Sequence, residues 1–168
     1  MDILFTMITF EKVLTIYFSL LFLFALIGFL FEYVSPKYKL NTSKAAYVRA
    51  VLQWCVENLG MPPRTKVLPE IQVSYYPNKS KHGVYFSGSK TIRVYVNNHD
   101  SLAKLTDTII HEYVHYLDLR NSSHQKLYNK YSNELGYENN PYEKNARKIA
   151  KKNYWLCMRA LAEKGVLK

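Results

Sequence analysis

Two cysteines in 168 residues are too few for a disulfide-built scaffold or a cysteine-rich zinc module. Cys55 and Cys157 are isolated, fall on apolar faces, form no metal-ligand pair, and read as reduced core residues. Glycine and proline are sparse, six of each, and no repeat or low-complexity segment appears, which argues against repeat arrays and composition-driven disorder. Acidic side chains are in deficit, 13 against 23 basic ones, for a formal net charge of +10.

Charge of either sign is missing altogether from residues 13–31, a run of 19 bounded by Lys12 and Glu32. As a helix it would span about 28 Å, against a bilayer core of about 30 Å. The expectation is a retained transmembrane helix over 13–31 within an N-terminal segment 1–34. A cleaved signal peptide would need a basic start, a shorter apolar core and a small-x-small site. Lys37, Lys39, Lys44 and Arg49 follow the run and only Lys12 precedes it. The positive-inside rule therefore predicts a single-pass membrane protein with its main domain on the cytoplasmic side. Asn-x-Ser/Thr matches at Asn41, Asn78 and Asn121 point the other way, but such matches are cheap in an Asn-, Ser- and Thr-rich chain. From residue 35 onward there are 22 lysines and arginines against 10 aspartates and glutamates. For an anchored domain, anionic lipid is the simplest partner of that charge. Nucleic acid is not expected, because the lysines are spread out and no aromatic-basic platform stands out.

The chemistry concentrates in His111-Glu112-Tyr113-Val114-His115. Residues four apart on a helix share a face one turn apart, so two imidazoles can reach one tetrahedral ion. Glu112, offset by about 100°, falls beside such an ion, where a carboxylate can act as general base on water. Ser101 is a candidate N-cap, and Leu102, Leu105, Ile109 and Ile110 recur with helical period, so the spacing predicts one helix from about Leu102 to Leu119.

Here the chain resembles the zincin metallopeptidases over roughly residues 45 to 160. Thr108 supplies their small or β-branched residue three before the first histidine. Tyr113 and Val114 are uncharged between the ligands, and Leu117 is the hydrophobic residue two after the second.

Catalytic zinc usually takes three protein ligands, and two candidates for the third lie downstream. Glu143, with Ala146 three positions on, resembles the glutamate-ligand zincins, or gluzincins, in which a later helix presents such a pair. It falls on the edge of the apolar face of a helix running from Pro141 to about Lys164, and an inward carboxylate needs a partner. Glu143 also suits a purely local role. With Asn140 as N-cap and Pro141 at N1 it occupies N3, the position of a capping-box acid. The rival ligand is His124, nine residues after His115 and followed by Tyr128. This echoes the SprT and WLM families, although no glycine turns the connection back. Asp118, on the face of both histidines, is a candidate to orient a ligand imidazole, or a solvated acid near Arg120. Tyr137, Tyr142 and His82 are conceivable transition-state donors, and His99 reads as a loop residue.

The rest reads as one small α+β domain over 45–168, joined by a linker at 35–44. Ser43 is placed to cap a helix ending at Gly60. Three strands follow, at Ile71–Tyr76, Val84–Ser87 and Thr91–Asn97, the last alternating Ile92, Val94 and Val96 with polar positions. In zincins the strand before the motif helix is an edge that takes substrate in extended form, and the resemblance implies that role for Thr91–Asn97. The leading expectation is a membrane-anchored, Zn2+-dependent metallopeptidase acting on a peptide or protein, with His111, His115 and Glu143 on the metal and Glu112 as base. Two other classes stay open: a non-catalytic module with a structural metal, and an anchored basic domain that binds lipid or nucleic acid with the motif accidental.

Overall fold

The computed structural model describes residues 12–26, 38–62, 67–119 and 121–168. The chain divides into two units, Met1–Lys37 and Tyr38–Lys168. The first contains a helix, α1, over residues 12–26. The second is α2 (Lys44–Leu59), β1 (Glu70–Ser74), β2 (Gly83–Phe86), β3 (Thr91–Tyr95), a 3-10 turn (Val96–Asn98), α3 (Leu102–Asp118), α4 (Ser122–Leu135), another 3-10 turn (Tyr137–Asn139) and α5 (Pro141–Glu163).

The expected α+β chain with a transmembrane helix is thereby corrected: the described chain is mostly helical with a small three-stranded sheet. Of the apolar run, α1 covers residues 13–26 among the described residues. The remainder of the apolar run, residues 27–31, lies outside the described residues. Among the described residues no helix is long and apolar enough to cross a membrane, so the expected single-pass membrane localisation with a cytoplasmic domain is not supported. The 23 residues of α5 have the length, but its outer face carries Lys144, Lys148, Lys151 and Lys152.

Each helix of the second unit starts on a side chain able to accept from its free N–H groups. Ser43 accepts from Ala46, Ser101 from Lys104, Asn121 from His124, and Asn140 from Tyr142. The asparagines of the three sequon matches all have structural partners. Asn41 donates to the Gly165 carbonyl, Asn78 accepts from Ser80 and Lys81, and Asn121 is the α4 cap. The end of the expected linker 35–44 is ordered against the C-terminus, with Lys39 N–H donating to Lys168 O at 2.8 Å and Asn41 N–H to Val166 O at 3.1 Å.

The sheet order is β1-β3-β2, with β3 parallel to β1 and antiparallel to β2. Thr91–Tyr95 is therefore the central strand, hydrogen-bonded on both sides. It has no free edge for a peptide, which corrects the substrate role that the resemblance implied for Thr91–Asn97. Its alternation does bury one face: Ile92, Val94 and Val96 are inside.

The core joins that face to Tyr47 and Val51 of α2, to Ile109 and Ile110 of α3, and to α5. Three tyrosine hydroxyls brace α3. Tyr47 pairs with Thr106 at 2.5 Å, Tyr113 donates to Gly60 O at 2.6 Å, and Tyr116 donates to Val67 O at 2.7 Å. Tyr113 and Val114, two of the three residues between the histidines, are buried in that core, so the opposite face of α3 has a fixed direction.

Candidate active site

Along that face His111 and His115 turn their Nε2 atoms to within 3.0 Å of each other, with rings at 83°. The two rings thus converge on one point without stacking. From α5, 28 residues further along the chain, Glu143 reaches the same point. Its Oε2 lies 3.1 Å from His111 Nε2 and its Oε1 3.2 Å from His115 Nε2. Packing of α5 against α3 makes this meeting possible. Ala146 and Ala150, on the buried face of α5, have no side chain long enough to hold the helices apart.

Glu143 is 1% exposed, so its charge needs compensation. Burial alone would raise its pKa. The imidazoles of His111 and His115 within 3.2 Å, the His115 charge and the Tyr128 hydroxyl outweigh burial and hold the carboxyl well below the usual range. His111 is pushed upward, because Glu143, Glu112 and Asp107 together overcome the downward pull of its burial. The capping-box role is not taken: the Asn140 N–H donates to the carbonyls of Gly136 and Tyr137 and leaves the Glu143 carboxylate to the histidines.

These three side chains fit a divalent metal. Tetrahedral zinc with bonds of about 2.0–2.1 Å separates its nitrogen and oxygen ligands by about 3.3 Å. The observed spacings of 3.0, 3.1 and 3.2 Å need only a slight opening. Glu143 Oε2 is buried with no hydrogen-bond partner among the described residues, an acceptor aimed between two imidazoles. Two imidazoles and a carboxylate are a donor set suited to zinc.

Glu112 lies next to the group, 8% exposed, in a cleft of about 520 Å³. Burial raises its pKa, opposed by the two imidazole charges and the Tyr85 backbone N–H. A carboxylate of raised basicity beside a metal position is suited to taking and returning a proton.

The other sequence candidates divide. His124 is not part of the group; it sits in the first turn of α4, with Nδ1 3.5 Å from the Tyr142 hydroxyl. Asp118 accepts from Asn145 Nδ2 at 2.9 Å at the surface, so its expected role of orienting an imidazole is not what its side chain does here. The carboxylate that feels His111 is Asp107, one turn before it and raised in pKa by burial against the opposing pull of His111 and Lys151. Its signal in the sequence was the i, i+4 spacing to His111. Of the conceivable donors, Tyr137 and His82 line the cleft, whereas Tyr142 packs against His124, Tyr128 and Tyr131. His99 does lie in a loop, but its ring is engaged, as described below.

Tyr128 is a partner of Glu143 that no spacing in the sequence marks. Its hydroxyl donates to Glu143 Oε1 at 2.7 Å, and Asn140 Nδ2 donates to the Tyr128 carbonyl at 3.1 Å, tying α4 to the start of α5. Partners that orient a metal ligand are commonly worth about 10–100-fold in affinity. Tyr128→Phe is expected to weaken zinc binding by that order in competition with a chromophoric chelator. An unchanged affinity would remove Tyr128 from this role.

Comparison with protein-family models, curated proteins and solved structures returned no match for the chain.

Proposed function

We propose that this protein is a zinc-dependent metallopeptidase, with His111, His115 and Glu143 holding the metal and Glu112 as general base. The observation that carries the reading is Glu143: a fully buried carboxylate brought from a separate helix onto both histidines, with one oxygen left without a hydrogen bond. A buried structural site would have no use for Glu112 in an open cleft beside it.

When bound, zinc would polarise the scissile carbonyl and make water acidic enough to react near neutral pH. Glu112 removes one proton from the attacking water as its oxygen bonds to the carbonyl carbon. It returns that proton to the amide nitrogen as the carbon–nitrogen bond breaks. Tyr137 and His82, facing the same cleft, are the available donors to the oxygen on which negative charge develops.

The peptide lies along β2 rather than β3. In the antiparallel register His82 O accepts from Tyr95 N, and alternation then directs Val84 and Phe86 to β3. Gly83 turns its N–H and carbonyl, and Tyr85 its carbonyl, to the free edge, and both residues line the cleft. Main-chain pairing there recognises a peptide without regard to its side chains.

The test is metal analysis and peptide hydrolysis on the purified full chain. Stoichiometric zinc is expected, together with cleavage of a quenched-fluorescence peptide mixture that a chelator stops and added zinc restores. A protein that binds no zinc, or that binds it and cleaves none of the peptides, is not this enzyme.

A further inference from the structure

Three glycines of the second unit, Gly60, Gly136 and Gly165, have φ between 73° and 77°, where glycine is the favoured residue. Gly83 has no positive φ and must be accounted for by space. A Cβ built on Gly83 would stand 2.7 Å from Thr108 Cγ2, 3.0 Å from Glu112 Cγ and 3.2 Å from Glu112 Oε1. At Gly60, Gly88, Gly136 and Gly165 the same atom would meet nothing within 4 Å. The bare backbone at the start of β2 therefore lies directly on the side chain of the proposed base.

The atoms around this contact have little room to move away. His99 Nδ1 is 3.0 Å from the Tyr95 carbonyl, which can only accept, so Nδ1 carries the proton. His99 Nε2, 3.0 Å from Thr108 Oγ1, then accepts the threonine hydroxyl. That bond sets the rotation of a β-branched side chain, stiff at χ1, and aims its methyl at Gly83. The His82 ring packs edge-on to His99 at 5.0 Å and covers the arrangement from the cleft side. On the far side of Gly83, the backbone N–H of Tyr85 faces the Glu112 carboxylate.

We propose that Gly83 is a positioning residue for Glu112: its lack of a side chain lets the edge strand close on the base, and the His99-braced Thr108 holds the opposite wall. The inference rests on the peptidase reading for its kinetic consequence and on geometry alone for its structural one. Any side chain at position 83 must displace either Thr108, held by His99, or the Glu112 side chain, whose Cγ and Oε1 would lie 3.0 and 3.2 Å from the new Cβ. Because Gly83 is two residues before Tyr85 on the same edge, the displacement also opens the gap between strand and base.

The experiment compares the full chain with Gly83→Ala, Gly83→Ala/Thr108→Ser and the control Gly88→Ala. Serine removes the methyl that a new Cβ would strike at 2.7 Å and keeps the hydroxyl for His99. Gly83→Ala is expected to keep its zinc and to lose about 10–100-fold in kcat, the scale of a misplaced catalytic group. The double variant should recover part of that loss, and Gly88→Ala should match the parent. Wild-type kcat in zinc-loaded Gly83→Ala overturns the proposal, as does a loss that Thr108→Ser leaves untouched. If Gly83→Ala alone does not fold, the double variant carries the comparison: Thr108→Ser should restore folding, and a double variant that also fails to fold overturns the proposal. If the parent cleaves no peptide, a result that would sink the peptidase reading by itself, the crystal structure of Gly83→Ala decides the matter: the Thr108 methyl or the Glu112 side chain should be displaced, and both unmoved overturns the proposal.

Discussion

Glu112→Gln is expected to lower peptide hydrolysis by about 10²–10⁴-fold, the usual contribution of a general base, while zinc stays stoichiometric. The amide has nearly the shape of the carboxylate and can still meet the Tyr85 N–H through its oxygen, but it cannot take a proton from water. Retention of metal follows from geometry: His111, His115 and Glu143 converge without help from Glu112. Glu112 is 8% exposed and its charge is disfavoured by burial, so the neutral isostere should not weaken the fold. Activity that survives in Glu112→Gln would show that another group handles the proton. Loss of zinc in the same variant would place Glu112 on the metal.

The second large effect concerns the third ligand. Glu143→Ala should lose zinc affinity by more than the roughly 100-fold that removal of an outer partner costs. It takes away the one carboxylate among three donors and leaves the Tyr128 hydroxyl and both imidazoles facing a void. His124→Ala should bind zinc as the parent does, because His124 sits on α4 beside Tyr142 and outside the group. Equilibrium dialysis against a zinc buffer separates the two variants. Zinc retained in Glu143→Ala and lost in His124→Ala would reverse the ligand assignment and move the cleft's proton chemistry to a different set of neighbours.

Parts of the site were readable because they depend on neighbours in sequence. Ser101 as cap and the apolar rhythm of Leu102, Leu105, Ile109 and Ile110 specify α3, and a helix puts His111 and His115 one turn apart whatever surrounds it. Other assignments failed where local arithmetic stops. Asp118 and Asp107 both share a face with His111, and helical spacing cannot say which of them a neighbouring side chain claims: Asn145 takes Asp118, leaving Asp107 near the histidine. Thr91–Tyr95, which the resemblance implies as the substrate edge, is the central strand, since β1 pairs parallel with β3 on one side and β2 antiparallel on the other. The apolar run at 13–31 predicts a spanning helix, yet among the described residues no helix is long and apolar enough to cross a membrane.

By itself, the sequence determined the donor types, the helix that carries two of them, and the phase that puts Glu143 on the inner side of α5. These follow from a period of 3.6 residues and from caps that act over three or four positions. Only the tertiary structure decided that Glu143 points at the histidines instead of capping its helix, that Tyr128 steadies it, and that Gly83 presses on Glu112. Those contacts join residues 15 to 32 positions apart along the chain. They are set by how α3, α4, α5 and β2 pack, and packing depends on every buried side chain at once.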